Sequence, residues 1–126
     1  MRFKRSNSLI IVRAELFGLG RKVVARLAVD TGATSTVIAP ALLRDAGYVP
    51  ENGVPALIST AGGLVDVFRI AIRRITCLRK SRSSFSVIAH NASRDSRFDG
   101  LLGLDFLKLF ELTINFPNGI IKLAPP

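Results

Sequence analysis

Short runs of alternating apolar and polar residues fill most of this chain, and Gly, Pro, Asn and Ser separate them. Such a pattern predicts half-buried strands joined by tight turns. Residues 9–17 read as a first strand, Gly18-Leu19-Gly20-Arg21-Lys22 as a turn and 23–29 as the partner strand. The Gly-x-Gly in this turn lacks a third glycine and a following helix, so it reads as a hairpin and not as a phosphate loop. Thr36-Val37-Ile38 is a short strand, and Pro40 suits the first position of a helix over 41–46. Leu42 and Leu43 would face inward, with Gly47 ending the helix. Residues 48–55, with Pro50, Gly53 and Pro55, read as a loop.

Residues 56–59 form the next predicted strand, Thr60-Ala61-Gly62-Gly63 interrupts it, and 64–75 resumes as a long second arm. Adjacent glycines between two strands suggest a hairpin tip whose backbone can come close to a ligand. The alternation slips at Phe68, which predicts a β-bulge there. Residues 80–84 read as a polar turn, 85–89 as a strand and 91–97 as a surface loop. Leu101 and Leu102 are a short buried run closed by Gly103. Asp105 is placed to cap a short helix reaching Leu109. A last hairpin follows over 110–116 and 120–123, turning at Pro117-Asn118-Gly119. The expectation is a mainly β chain: a basic arm at 1–8, then one domain over 9–126.

Composition narrows the classes. With 126 residues and 48% apolar content the chain can bury a modest core. Cys77 is the sole cysteine, which excludes an intrachain disulfide framework and reads as a buried, inert thiol. No apolar run reaches the length of a membrane span, and residues 9–12 are too short for a signal-peptide core, so the expected location is cytoplasmic. Lys and Arg total 18 against 9 Asp and Glu, a net charge of +9. These cations are scattered in small clusters without interleaved aromatic residues. They read as a solvated basic surface, with nucleic acid not expected as a partner. His90, the sole histidine, has no metal-ligand spacing around it and reads as a loop residue. No metal or cofactor is expected.

Asp30 is the residue the pattern does not explain. An apolar strand runs into Asp30-Thr31-Gly32-Ala33-Thr34-Ser35 and returns to apolar Val37-Ile38. A carboxylate between two buried strands is costly unless it is held and used. Gly32 allows a backbone N–H to approach it, and Thr31 supplies a hydroxyl that could lock the loop. These residues alone fit a turn stabilised by its own acid as well as they fit a catalytic carboxylate.

The wider order of elements adds to this. Asp30-Thr31-Gly32-Ala33, a glycine-rich hairpin at Gly62-Gly63, and Asp99-Gly100-Leu101-Leu102-Gly103-Leu104-Asp105-Phe106-Leu107 resemble the retropepsin-like aspartic proteases, in particular their stand-alone bacterial members. The resemblance runs from about residue 9 to 123. It implies a small closed β-barrel with a short helix after residue 40 and another near the C-terminus. It implies an aspartic endopeptidase with Asp30, Thr31 and Gly32 as its catalytic loop. Substrate would lie against Ala33, Thr34, Ser35 and the hairpin Ala61-Gly62-Gly63, with Leu101, Leu102 and Gly103 packing beneath the loop. The chain has one such motif, and the mechanism needs two carboxylates around one water. The implied active unit is therefore a homodimer whose two Asp30 residues share one proton. The implied partners are a second copy of this chain and a peptide or protein substrate. The alternative is a peptide-binding or assembly module of the same fold with little activity. Thr34 and Ser35 stand where viral members often carry acids, which changes the substrate contacts. Clear terminal dimer strands are also missing.

Overall fold

The computed structural model describes residues 1–5, 9–92 and 97–125. Part of the loop expected over 91–97, and part of the basic arm expected over 1–8, lie outside the described residues. The first hairpin pairs β1 (Ile11–Phe17) with β2 (Lys22–Val29), antiparallel and in unbroken register. The chain then crosses to β3 (Val37–Ile38) and α1 (Pro40–Asp45), which has Pro at its start. A 3-10 turn, Pro50–Asn52, follows within the stretch expected to be loop. Next come β4 (Val54–Thr60), β5 (Gly63–Cys77), β6 (Lys80–Ala89), β7 (Gly100–Leu102) and α2 (Leu104–Leu107). β8 (Glu111–Asn115) and β9 (Ile120–Ala124) form a separate two-stranded sheet.

The main sheet runs β1-β2-β7-β3-β6-β5, and a β1–β5 pairing closes it into a barrel. The closing pairs run from Ala14 opposite Cys77 to Phe17 opposite Arg74. The edge of β5 opposite β6 is divided between two partners. β4 takes residues 63–69, and β1 takes residues 74–77. The β4–β5 hairpin therefore projects from the barrel as an arm. Leu16, Leu27, Ile38, Ile72, Ile75, Val87 and Leu102 fill the interior. Phe106 of α2 stands edge-on to Phe85, with ring centroids 5.9 Å apart. Tyr48 ties the segment after α1 to the wall: its hydroxyl donates to the Phe17 carbonyl (2.7 Å) and accepts from the Arg73 N–H (2.8 Å). At the N-terminus, Arg2 bridges to Ile120, and the Ile121 N–H donates to the Met1 carbonyl (2.9 Å).

Several local expectations change. β5 keeps one register past Phe68 against both β4 and β6, so no bulge occurs there. The apparent slip arises because one strand serves two cores. Val65 and Val67 pack into a second apolar cluster with Val37, Ile88 and Ile58, whereas Ile70 and Ile72 face the barrel interior. The turn expected over 80–84 is already strand. The reversal instead occurs at Leu78 and Arg79, whose φ values of 53° and 64° have the signs of a type I′ hairpin turn. The polar residues that suggested a turn lie on strand β6, where Ser81 and Ser83 face solvent and Arg82 stacks on Phe85.

Candidate functional site

β2 and β3 flank β7 on opposite sides, so the segment joining them, residues 30–36, must pass over the end of β7. That topology turns a seven-residue connection into a loop clamped at both ends. At its start the Asp30 N–H donates to the Leu102 carbonyl (3.0 Å). At its middle the Leu104 N–H donates to the Ala33 carbonyl (2.8 Å). At its end the Thr36 N–H and hydroxyl donate to the two carboxylate oxygens of Asp105, at 2.9 and 2.7 Å. The Thr36 hydroxyl oxygen in turn accepts the Gly103 N–H (3.1 Å). Gly103 is needed for this approach: a Cβ there would sit 2.7 Å from the Ser35 carbonyl. Asp105 therefore does not cap α2, which begins after Gly103 without a side-chain cap. Its carboxylate holds the far end of the loop.

Within the loop, the Gly32 N–H donates to Asp30 Oδ1 (2.9 Å), and the Ala33 N–H donates to the Asp30 carbonyl (3.2 Å). The first of these fixes the carboxylate while leaving Oδ2 open to other donors. Asp30 is half-buried, and Thr31 and Gly32 are exposed. A cavity of about 550 Å³ opens beside Asp30. Of the residues singled out in the sequence, Asp30, Gly32, Ala33, Thr34, Ser35, Ala61, Gly62 and Leu101 line it. Thr31 and Gly63 do not, and Leu102 and Gly103 are buried beneath the loop. The floor comes from the second apolar cluster through Val37, Ile58 and Ile88.

The hairpin tip overhanging this cleft has its own internal order. The Thr60 hydroxyl donates to the Gly63 carbonyl (2.9 Å) and accepts the Gly62 N–H (3.3 Å). Arg69, farther down β5 on the same face as Val65 and Val67, reaches the loop through a 3.4 Å contact from Nη2 to Ser35 Oγ. No local pattern marked Ile58, Ile88 and His90 as part of the site. Ile58 comes in on the β4–β5 hairpin, Ile88 through the pairing of β6 with β3, and His90 just after β6 with its N–H donating to the Ile38 carbonyl (3.1 Å). His90 lies in a bend just after β6, outside the strands as expected, and it also lines the cleft. Among the described residues no three or more His, Cys, Asp or Glu side chains come together as a metal site would require. No helix among them is long and apolar enough to cross a membrane.

The family described as "Aspartyl protease" matches residues 12–106, a span that includes the Asp30 loop, the hairpin and β7. The chain belongs to the aspartyl protease family. Among solved structures it is similar to a retropepsin-like aspartic protease from Rickettsia conorii, with a TM-score of 0.74 and 17% identity. That match covers 98% of this chain and 88% of the other. At this identity the likeness establishes the fold, a retropepsin-like barrel. No match was found among curated proteins. For an aspartyl protease, the position of Asp30 is chemically apt: a carboxylate held by one backbone donor, at the edge of a groove with an apolar floor.

Proposed function

We propose that this chain is an aspartic endopeptidase, active as a homodimer that places one Asp30 from each subunit around a shared water. The observation that carries the reading is the clamped Asp30 loop facing a cleft overhung by the β4–β5 hairpin. Among the described residues lining that cleft, Asp30 is the one acid. A single carboxylate cannot both take a proton from water and give one to the peptide oxygen. The exposed Thr31-Gly32 tip suits contact with a second copy, which supplies the other carboxylate.

In the paired site, adjacent carboxylates hold one proton between them. The ionised member accepts a proton from the water, whose oxygen attacks the peptide carbonyl carbon. The protonated member donates to the carbonyl oxygen, giving a neutral gem-diol. Collapse of that intermediate breaks the C–N bond and passes a proton to the departing nitrogen. Thr31, Gly32 and Asp30 form the catalytic loop. Ala33, Thr34, Ser35 and the Ala61-Gly62-Gly63 tip contact an extended substrate, and Leu101, Leu102 and Gly103 support the loop from beneath. The hairpin excludes water by closing over the peptide.

The test is cleavage of an unfolded peptide pool at mildly acidic pH. Wild-type protein is expected to cut, and Asp30→Asn to lose activity while keeping its circular dichroism and its dimer. Equal cleavage by the two proteins would overturn the assignment. Peptide binding without cleavage by the wild type would identify a binding module of the same fold instead.

A further inference from the structure

The barrel wall farthest along β2 from Asp30 gathers charges that are separate in sequence. Arg21 and Lys22 come from the β1–β2 turn, and Arg73 and Arg74 from the middle of β5. All four line one groove of about 540 Å³, together with Phe17 and Ser83. The sheet register explains the gathering. Lys22, Phe17, Arg74 and Ser83 stand side by side on β2, β1, β5 and β6. Lys22 opens β2, whereas Asp30 follows its last residue, so roughly 23 Å of strand separates groove from cleft. Glu15 pairs with Lys22 at 2.9 Å, and Arg21 Nη1 donates to the Asp45 backbone carbonyl at 3.4 Å, but no carboxylate is among the described residues lining the groove. A hydrogen bond from Lys22, and then the fields of Lys22, Arg13 and Arg74, hold the Glu15 carboxyl below its ordinary range against an opposing desolvation. The positive field is therefore felt at Glu15.

We propose that this groove is a docking site for an acidic protein segment, recognised by the guanidinium groups of Arg21, Arg73 and Arg74. Guanidinium forks match carboxylate geometry. A single nucleic-acid strand would need aromatic faces on which bases stack. Phe17 lines the groove, but the Arg74 guanidinium already lies over its ring, 4.0 Å from the centroid. The purpose of the site rests on the peptidase reading: an acidic stretch held here raises the local concentration of the chain that enters the cleft. Binding itself stands on the groove alone.

The experiment uses the full chain carrying Asp30→Asn, so that the outcome does not depend on cleavage. Fluorescein-labelled octaglutamate, octaglutamine and octathymidylate are titrated by anisotropy at roughly 50 mM and 200 mM salt. Octaglutamate is expected to bind, octaglutamine not to bind, and Arg73→Glu to weaken octaglutamate by about tenfold. Lys122→Glu changes net charge equally from an exposed position on β9 outside the groove, and is expected to weaken it less than about twofold. If Arg73→Glu perturbs the circular dichroism, Arg21→Gln in the turn replaces it. Equal losses in the groove and β9 variants, or no octaglutamate binding at low salt, would overturn the proposal. Tighter, Arg73-dependent binding of octathymidylate would overturn it in favour of nucleic acid. Cleavage that survives Asp30→Asn would refute the peptidase reading without touching this result.

Discussion

Thr36 is fully buried, and both of its donors go to one carboxylate, that of Asp105. Its hydroxyl oxygen also accepts the Gly103 N–H, so the hydroxyl proton has to point at Asp105. An amide cannot replace that carboxylate, because it offers one acceptor oxygen to two donors and adds a donor of its own. Asp105→Asn is therefore expected to lower the urea midpoint by an amount corresponding to about 1–3 kcal/mol, and Thr36→Val to do likewise. An unchanged midpoint for Asp105→Asn would mean that the clamp contributes nothing. The titration of Cys77 bears on stability. Burial pushes its thiol up from 9.0 to about 12, opposed by a hydrogen bond from the backbone of Leu78. The folded protein thus keeps a proton that the unfolded chain releases above pH 9. Stability from this group is complete below pH 9 and falls as the pH rises toward 12, by about 1.4 kcal/mol per unit. Native protein should resist thiol alkylation at pH 8, and thermal scans from pH 8 to 11 should show the decline. A flat profile would count against a buried thiol.

The β4–β5 hairpin shows how one element can hold two environments. Its second strand buries Val65 and Val67 against the cleft floor, then turns Ile70 and Ile72 into the barrel without changing register. At its tip the two glycines are not equivalent. Gly63 has φ of +113°, which L side chains rarely adopt, whereas a Cβ on Gly62 meets nothing closer than the Thr60 hydroxyl at 3.9 Å. Gly63→Val is expected to strain the turn by about 1–3 kcal/mol and to raise KM for a peptide substrate, while Gly62→Ala leaves KM near the wild-type value. A wild-type KM for Gly63→Val would mean that the tip does not contact substrate. β6 carries a related lesson: Lys80, Ser81, Arg82 and Ser83 were legible as polar but not as strand, because both faces of this stretch carry polar residues, Ser81 and Ser83 toward solvent and Lys80 and Arg82 over the rings of Phe110 and Phe85.

At the scale of the molecule, the proposed homodimer with a site shared between subunits would make activity depend on concentration. Specific activity should fall on dilution through the dimer dissociation constant and recover on reconcentration. Mixing wild-type protein with an equal amount of Asp30→Asn and allowing exchange leaves about a quarter of the dimers with two Asp30 residues. Activity should then drop to about half that of the unmixed wild type. Activity that is unaffected by mixing would rule out a site shared between subunits.

The Asp30-Thr31-Gly32 motif, the two hairpins at either end of the chain and the short buried run Leu101-Leu102-Gly103 were legible in sequence, because local spacing and turn chemistry set them. The barrel fold, and the packing of that run beneath the loop, were implied by the resemblance of their order to the retropepsin-like proteases. Tertiary structure alone decided the rest. It made Asp105 a clamp instead of a helix cap, because β2 and β3 flank β7 and bring residue 36 to residue 105. It brought Ile88 and His90 into the cleft and four scattered cations into one groove. These contacts depend on strand pairings between distant residues, and alternation within a strand does not encode which neighbour it will meet.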